Sequence, residues 1–85
     1  MKKFAIISRK QVKTKLYEMF PGDVTFYARG KLYTFPLKKA LESFCYDTKE
    51  KAQRALRHAK KVNFFNNYIA YKNLANTFEV VEVEF

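Results

Sequence analysis

Apolar runs and alternating patterns predict β-strands at both ends of the chain. The apolar run at residues 4–7 has the length of a strand, and residues 77–85 largely alternate glutamate with valine and phenylalanine. Residues 64–72 are rich in apolar and aromatic side chains, and the turn-forming segment at 73–76 connects them to the last strand. These patterns predict three strands.

A β-hairpin is predicted near the middle of the chain. Residues 24–28 and 31–35 carry β-branched and aromatic side chains, which suit a pleated sheet. The Arg-Gly pair at 29–30 lies between them, and glycine readily adopts the positive φ of a tight turn. With these two residues as the loop, Phe26 lies opposite Tyr33.

A first helix is predicted directly after the N-terminal strand. Ser8 and Gln11 have the spacing of a capping box, in which the serine hydroxyl accepts a bond from the Gln11 N–H group. Pro21 ends the apolar pattern that follows. The residues of that pattern, at helical spacing, are Val12, Leu16, Met19 and Phe20.

The segment at residues 36–46 fits two structures. Its apolar residues recur at helical spacing, and Pro36 suits the first turn of a helix, so a short helix is favoured. Residues 43–46 fit a strand equally well. The sequence leaves the choice between helix and strand open.

The clearest helix signal begins at Asp47. This residue is a predicted N-cap, and Glu50 stands three residues later as in a capping box. A narrow apolar stripe of Ala52, Ala55, Leu56 and Ala59 follows, and the far side carries Arg54, Arg57, His58 and Lys61. Taken together, the elements predict a single basic α+β domain over residues 1–85. We expect a small antiparallel sheet of about four or five strands with two or three helices packed on one face.

The charge is strongly positive and unevenly distributed. Lysine and arginine number 17 against 8 acidic residues, a formal charge of +9, and residues 49–61 hold six of these cations with one glutamate. Such a balance favours a polyanionic partner, although a solvated basic surface has the same composition. The acids of residues 73–85 are Glu79, Glu82 and Glu84, and we expect them to pair with basic neighbours in the fold.

Catalytic, metal-binding and membrane motifs are missing from the sequence. Two glycines exclude a glycine-rich phosphate loop, and one Cys with one His excludes an ordinary zinc site, so we expect no enzyme activity, metal or cofactor. Cys45 has an apolar context that suits core packing. The N-terminal apolar run is too short for a signal peptide and no run could span a bilayer, so a soluble cytoplasmic protein is expected.

Basic side chains interleaved with tyrosine predict a nucleic-acid-binding surface. Cations contact phosphates, and exposed aromatic rings stack on unpaired bases. RNA, single-stranded or structured, is favoured over duplex DNA because helix-turn-helix and zinc-finger patterns are missing. The candidate residues are Lys10, Lys13, Tyr27, Arg29, Lys31, Lys38, Lys39, Arg54, Arg57, His58 and Lys61.

Three stretches of the chain resemble the small early proteins of tailed phages. They are the opening residues 2–7, the segment 46–52 that enters a helix, and the closing residues 78–83, about a quarter of the chain. Proteins of this group often redirect host machinery or block host defence, and one of similar size and charge is an RNA-binding inhibitor of an endoribonuclease toxin. The resemblance implies an anti-defence role in the host bacterial cytoplasm, with a toxin nuclease as partner through bound RNA.

Two functions therefore compete at the level of sequence. The first is a non-enzymatic RNA-binding protein, and the second is an interaction module that binds and inhibits an acidic host protein without nucleic acid. Both would use Arg54 and Arg57. The oligomeric state stays open.

Overall fold

The described strands alternate with short turns and one helix along the chain. The computed structural model describes residues 1–11, 19–62, 64 and 75–85. The strands are β1 Lys2–Ser8, β2 Asp23–Ala28, β3 Lys31–Pro36, β4 Cys45–Tyr46 and β5 Phe78–Glu84, and the helix α1 is Lys49–Lys61. Single turns of 3-10 helix cover Leu37–Lys39, Glu42–Phe44 and Ala75–Thr77.

Strand β1 is the centre of a five-stranded antiparallel sheet. Strand β5 pairs with β1 along its whole length, from Lys2 opposite Glu84 to Ser8 opposite Phe78. On the other edge, β2 pairs with the second half of β1, and β4 pairs with the first half at Phe4. Strands β2 and β4 therefore lie end to end along β1, and β3 extends the sheet beyond β2.

The β2–β3 hairpin has the predicted register. Phe26 lies opposite Tyr33, which confirms Arg29 and Gly30 as the two loop residues. Their φ angles are +50° and +79°, the two positive values of a type I′ turn. Because the Cβ atom disfavours this left-handed region, contacts elsewhere must hold Arg29 in it.

The sheet carries an apolar cluster on each face. Helix α1 covers one face, where Ile6 and Leu56 belong to the same cluster. The chain between β3 and β4 covers the other face, where Ile7 and Phe44 belong to the second cluster. Successive strand residues point to opposite faces, so two-sided burial explains why Ile6 and Ile7 are both fully buried.

The predicted fold class, with two or three helices on one face of the sheet, is wrong. The described residues form five strands and a single α-helix of 13 residues. The helix expected between Ser8 and Phe20 includes residues 12–18, and the strand expected at 64–72 is described only at Phe64, so both predictions lie largely outside the described residues. Ser8 itself is the last residue of β1, where its hydroxyl lies 2.7 Å from that of Thr77.

The favoured helix at residues 36–46 is also wrong. The backbone is extended at Ala40 and Leu41, between the two 3-10 turns of this segment. Leu41 belongs to the predicted apolar face, yet it is 54% exposed. The strand alternative is confirmed for Cys45 and Tyr46, which pair with β1.

Long-range packing of Phe44 explains why residues 36–46 do not form the predicted helix. Its ring stacks on Tyr33 with centroids 4.3 Å apart and lies 5.4 Å from the ring of Phe26. Aromatic pairs of this kind contribute about 0.5–1.5 kcal/mol each beyond the area they bury. Pairing of the next residue, Cys45, with Ala5 then fixes the chain as a strand.

Helix α1 begins later than predicted and has a different cap. The Thr48 side chain accepts a hydrogen bond from the Lys51 backbone N–H group at 3.1 Å, so Thr48 is the N-cap in place of Asp47. Glu50 in the first turn and basic residues in the last turn complement the helix dipole. The apolar stripe is as predicted, with Ala52 and Ala59 fully buried.

Candidate nucleic-acid interface

The outward side of α1 carries a group of exposed cationic side chains. Burial of Ala52, Leu56 and Ala59 against the sheet fixes the rotation of the helix about its axis. The predicted residues opposite this stripe are accordingly exposed, and we call them the α1 cationic face. The α1 cationic face consists of Arg54, Arg57, His58 and Lys61.

The C-terminal glutamates are paired elsewhere and do not neutralise this face. Arg9 Nε donates a hydrogen bond to Glu79 Oε1 at 3.2 Å. Lys2 Nζ lies 4.0 Å from the Glu82 carboxylate, and the N-terminal ammonium group lies 3.1 Å from Glu84. The expected pairing of the acidic segment with basic neighbours is confirmed, and those neighbours belong to β1 and its two ends.

A second group of acids is held by Lys3. Its Nζ atom lies 3.2 Å from Asp47 and 3.7 Å from Glu42. The hydrogen bond between Lys3 and Asp47 raises the pKa of Lys3 and lowers that of Asp47. Lys51, at the N-terminal end of α1, lies 4.0 Å from the other Asp47 oxygen.

The cations of the α1 cationic face form no salt bridge with any carboxylate that the structure describes. Arg57 and Lys61 are four residues apart and Arg54 and Arg57 three apart, so like charges are neighbours on the helix. Each such pair destabilises a helix by about 0.2–0.5 kcal/mol. A bound anion would relieve this repulsion.

Arg29 is bound to the protein itself. Its two terminal nitrogens donate to the backbone oxygens of Ser43 at 2.6 Å and Cys45 at 3.3 Å. Its guanidinium lies 5.3 Å from the centroid of the Tyr46 ring, and the Tyr46 hydroxyl accepts the Arg29 backbone N–H group. These contacts hold the left-handed turn against β4, so the structure gives Arg29 a structural role, and its contact with nucleic acid stays a prediction.

Tyr27 is buried and does not lie on the predicted surface. Its side chain is 7% exposed and belongs to the apolar cluster beneath α1, with its ring edge-on to Phe64 at 5.0 Å. Burial raises the pKa of its hydroxyl. A ring in this position cannot stack on a base, because its strand position directs it under the helix.

The other predicted cations that the structure describes are not part of α1. Lys38 and Lys39 are exposed on the chain that covers the opposite face of the sheet. Lys31 is exposed at the hairpin end, and Lys10 is exposed just beyond β1. Lys13 lies outside the described residues. Among the described residues, the structure therefore groups four of the predicted ones on the α1 cationic face, and the others belong to different parts of the chain.

Two features of the protein surface were not recognised from the sequence. Lys60 is exposed at the edge of the α1 cationic face. Its positive charge is the signal in the sequence that could have identified it as a phosphate-binding residue. A groove at the open end of the hairpin is lined by Pro21, Gly22, Pro36 and the turn Leu37–Lys39. No local pattern indicates it, because it forms only when Asp23 and Pro36 pair across the hairpin.

The described residues offer little that is typical of catalysis. Cys45 is 2% exposed, burial raises the pKa of its thiol, and Sγ contacts the Leu41 oxygen at 3.5 Å, so it packs in the core as expected. Within the described ranges, no three His, Cys, Asp or Glu side chains are grouped so that they could hold a metal ion. None of the described helices has the length and apolar content needed to cross a bilayer.

No protein-family model matches this chain, and the searches of curated proteins and of solved structures found no similar protein.

Proposed function

We propose that this chain is a non-enzymatic RNA-binding protein and that the α1 cationic face is its phosphate-binding surface. One observation carries the proposal. Arg54, Arg57 and Lys61 are exposed together, while acids of β5 pair with Lys2 and Arg9. A cationic surface left free in this way attracts a polyanion.

The geometry of α1 favours phosphate contacts over base reading. Arg54 and Arg57 present planar guanidinium groups, which bind phosphate oxygens in pairs of hydrogen bonds. Lys61 is seven positions after Arg54, about 10 Å along a helix, so the face can contact two or three phosphates of one strand. A flexible single strand can follow such a short row of cations, which supports RNA loops or single strands over duplex DNA.

The salt dependence of binding gives a quantitative test. Three phosphate contacts predict that the logarithm of the association constant falls with the logarithm of salt with a slope of about −2 on a single strand. The assay is fluorescence anisotropy with a labelled single-stranded RNA of about 16 nucleotides. A duplex DNA of the same length is the competitor, and salt is varied between roughly 50 and 200 mM.

A pair of matched variants locates the binding surface. Arg54→Glu with Arg57→Glu is expected to weaken RNA binding at least about tenfold, because each lost phosphate contact is replaced by repulsion. Lys38→Glu with Lys39→Glu makes the same change in net charge on the opposite face and is expected to weaken it less than about threefold. Equal losses, or no RNA binding at the lowest salt, would refute the proposal. Thermal unfolding of both variants checks that the fold is kept.

The resemblance to phage early proteins, the toxin nuclease as partner and the cytoplasmic location stay predictions. A pull-down from bacterial lysate with and without nuclease tests them together with the competing function. An interaction module for an acidic protein retains its partner after nuclease treatment. An RNA-bridged complex is lost.

A further inference from the structure

The groove at the open end of the β2–β3 hairpin is a second surface with its own chemistry. It is an open groove of about 530 Å³, lined by Pro21, Gly22, Pro36 and the turn Leu37–Lys39. The rings of the two prolines and the side chain of Leu37 supply apolar contacts. Lys38 and Lys39 are exposed and add two positive charges at its edge.

Tight backbone structure holds the walls of the groove in place. The Asp23 backbone N–H group donates to the Phe20 oxygen at 3.0 Å, and φ of Gly22 is +91°, so Phe20 to Asp23 form a turn with glycine at the position that requires it. The Asp23 carboxylate accepts the Phe20 N–H group at 3.1 Å. Asp23 also pairs with Pro36, which fixes the two proline walls relative to each other.

The charge at the groove is not neutralised from within the described residues. Lys38 and Lys39 form no salt bridge to any carboxylate that the structure describes. Asp23 is 8% exposed and directed to the turn, and Glu42 lies 3.7 Å from Lys3. The groove therefore combines an apolar floor with a positive edge. Phe20, which begins the turn, is 72% exposed and adds apolar surface beside it.

We propose that this groove binds an acidic peptide segment of a partner protein, with an apolar side chain of that peptide against Pro21, Pro36 and Leu37 and its carboxylates against Lys38 and Lys39. The apolar lining favours a peptide over nucleic acid, because a sugar-phosphate strand presents little apolar surface and needs a denser row of cations. Rigid walls lower the entropic cost of binding. The complementary charges orient the peptide and exclude basic sequences.

This surface is independent of the α1 cationic face. The turn Leu37–Lys39 packs with the apolar cluster on the face of the sheet opposite α1. A peptide in the groove and an RNA strand on α1 can therefore be bound at the same time. The protein would then link an acidic partner protein to RNA, with neither ligand touching the other.

The experiment uses NMR titration of the full ¹⁵N-labelled chain. The probe is a short acetylated peptide that alternates glutamate with leucine and phenylalanine. Two comparison peptides replace glutamate with lysine, or the apolar residues with serine, and an oligouridine is titrated separately. The first peptide is expected to shift the amide signals of Gly22 and of Leu37–Lys39, and both comparison peptides are expected to bind more weakly.

Matched charge reversals complete the test. Lys38→Glu with Lys39→Glu is expected to raise the Kd of the acidic peptide about tenfold. Arg54→Glu with Arg57→Glu is expected to change it less than about twofold, because that face lies across the sheet. The inference is overturned if the peptide shifts α1 signals instead, shifts none at millimolar concentration, or is outcompeted in the groove by oligouridine. The mapping is done on the unmodified chain, so it does not depend on how the variants fold. RNA binding by α1 is tested by the separate anisotropy assay, so either proposal can fail without the other.

Discussion

Replacing Arg29 with asparagine tests whether the hairpin turn depends on the contacts of the arginine side chain. Arginine at φ +50° is strained, and asparagine tolerates this left-handed conformation better. Turn propensity alone therefore predicts that Arg29→Asn stabilises the hairpin. The structure predicts the opposite, because the substitution removes the guanidinium that joins the hairpin to the carbonyls of Ser43 and Cys45.

The contacts of Arg29 set the expected size of the effect. Hydrogen bonds from a charged donor contribute about 1.5–3 kcal/mol when shielded and less when exposed. One of these bonds is exposed and the other partly buried, so we assign about 2 kcal/mol to the two together. The contact of the guanidinium with the Tyr46 ring contributes about 0.5 kcal/mol more, which the substitution also removes. Relief of backbone strain at residue 29 offsets about 1 kcal/mol of this loss. The net loss in the free energy of unfolding is about 1–2 kcal/mol.

Thermal and urea unfolding, followed by circular dichroism, measure this loss. A domain of this size loses roughly 4–8 °C in Tm for each kcal/mol, so a loss of about 1–2 kcal/mol is expected to lower the Tm of Arg29→Asn by about 4–16 °C. Arg29→Lys keeps the charge but not the planar fork, and is expected to recover less than half of the stability. Lys31→Asn removes the same charge from the same end of the hairpin and should change unfolding by less than about 0.5 kcal/mol. An Arg29→Asn protein as stable as the parent would refute this reasoning.

The remaining predictions concern the Lys3 ion pairs and the α1 stripe. Lys3→Met is expected to raise the pKa of Asp47 toward its ordinary value of 3.8, as followed by carboxyl NMR. Because the pKa of Asp47 is lowered, its ionised form stabilises the fold above pH 3.8, and this effect is lost as the pH falls through the pKa of Asp47 in the folded protein. Because the pKa of Lys3 is raised, its charged form stabilises the fold below pH 10.5, and this effect is lost as the pH rises through the pKa of Lys3 in the folded protein. The Tm difference between parent and Lys3→Met should therefore shrink at both pH extremes, and a difference that stays constant into acid would contradict the pairing. Ala59→Leu is expected to cost about 1–3 kcal/mol, because Ala59 is fully buried between helix and sheet. Gln53→Leu on the exposed side is the control, and equal unfolding of the two variants would show that α1 does not lie close to the sheet.

Local patterns were sufficient where a structure depends on neighbours along the chain. The hairpin register follows from two loop residues between alternating strands, and it is correct to the pairing of Phe26 with Tyr33. The stripe of α1 and the exposure of Arg54 opposite it follow from helical spacing alone. In these elements each deciding interaction spans only a few residues, so the sequence carries the whole signal.

Contacts between distant residues decided the rest. At residues 36–46 the packing of Phe44 and the pairing of Cys45 with β1 override the helical spacing. Thr48 is the helix cap, while the Asp47 carboxylate pairs with Lys3. Composition could show that the chain is basic, but it could not show which cations are free. That depends on β5 lying antiparallel to β1, which brings the C-terminal glutamates to the cations of β1 and its two ends. The cations of α1 stay exposed, because an ion pair forms only where the folded backbone places both charges within reach.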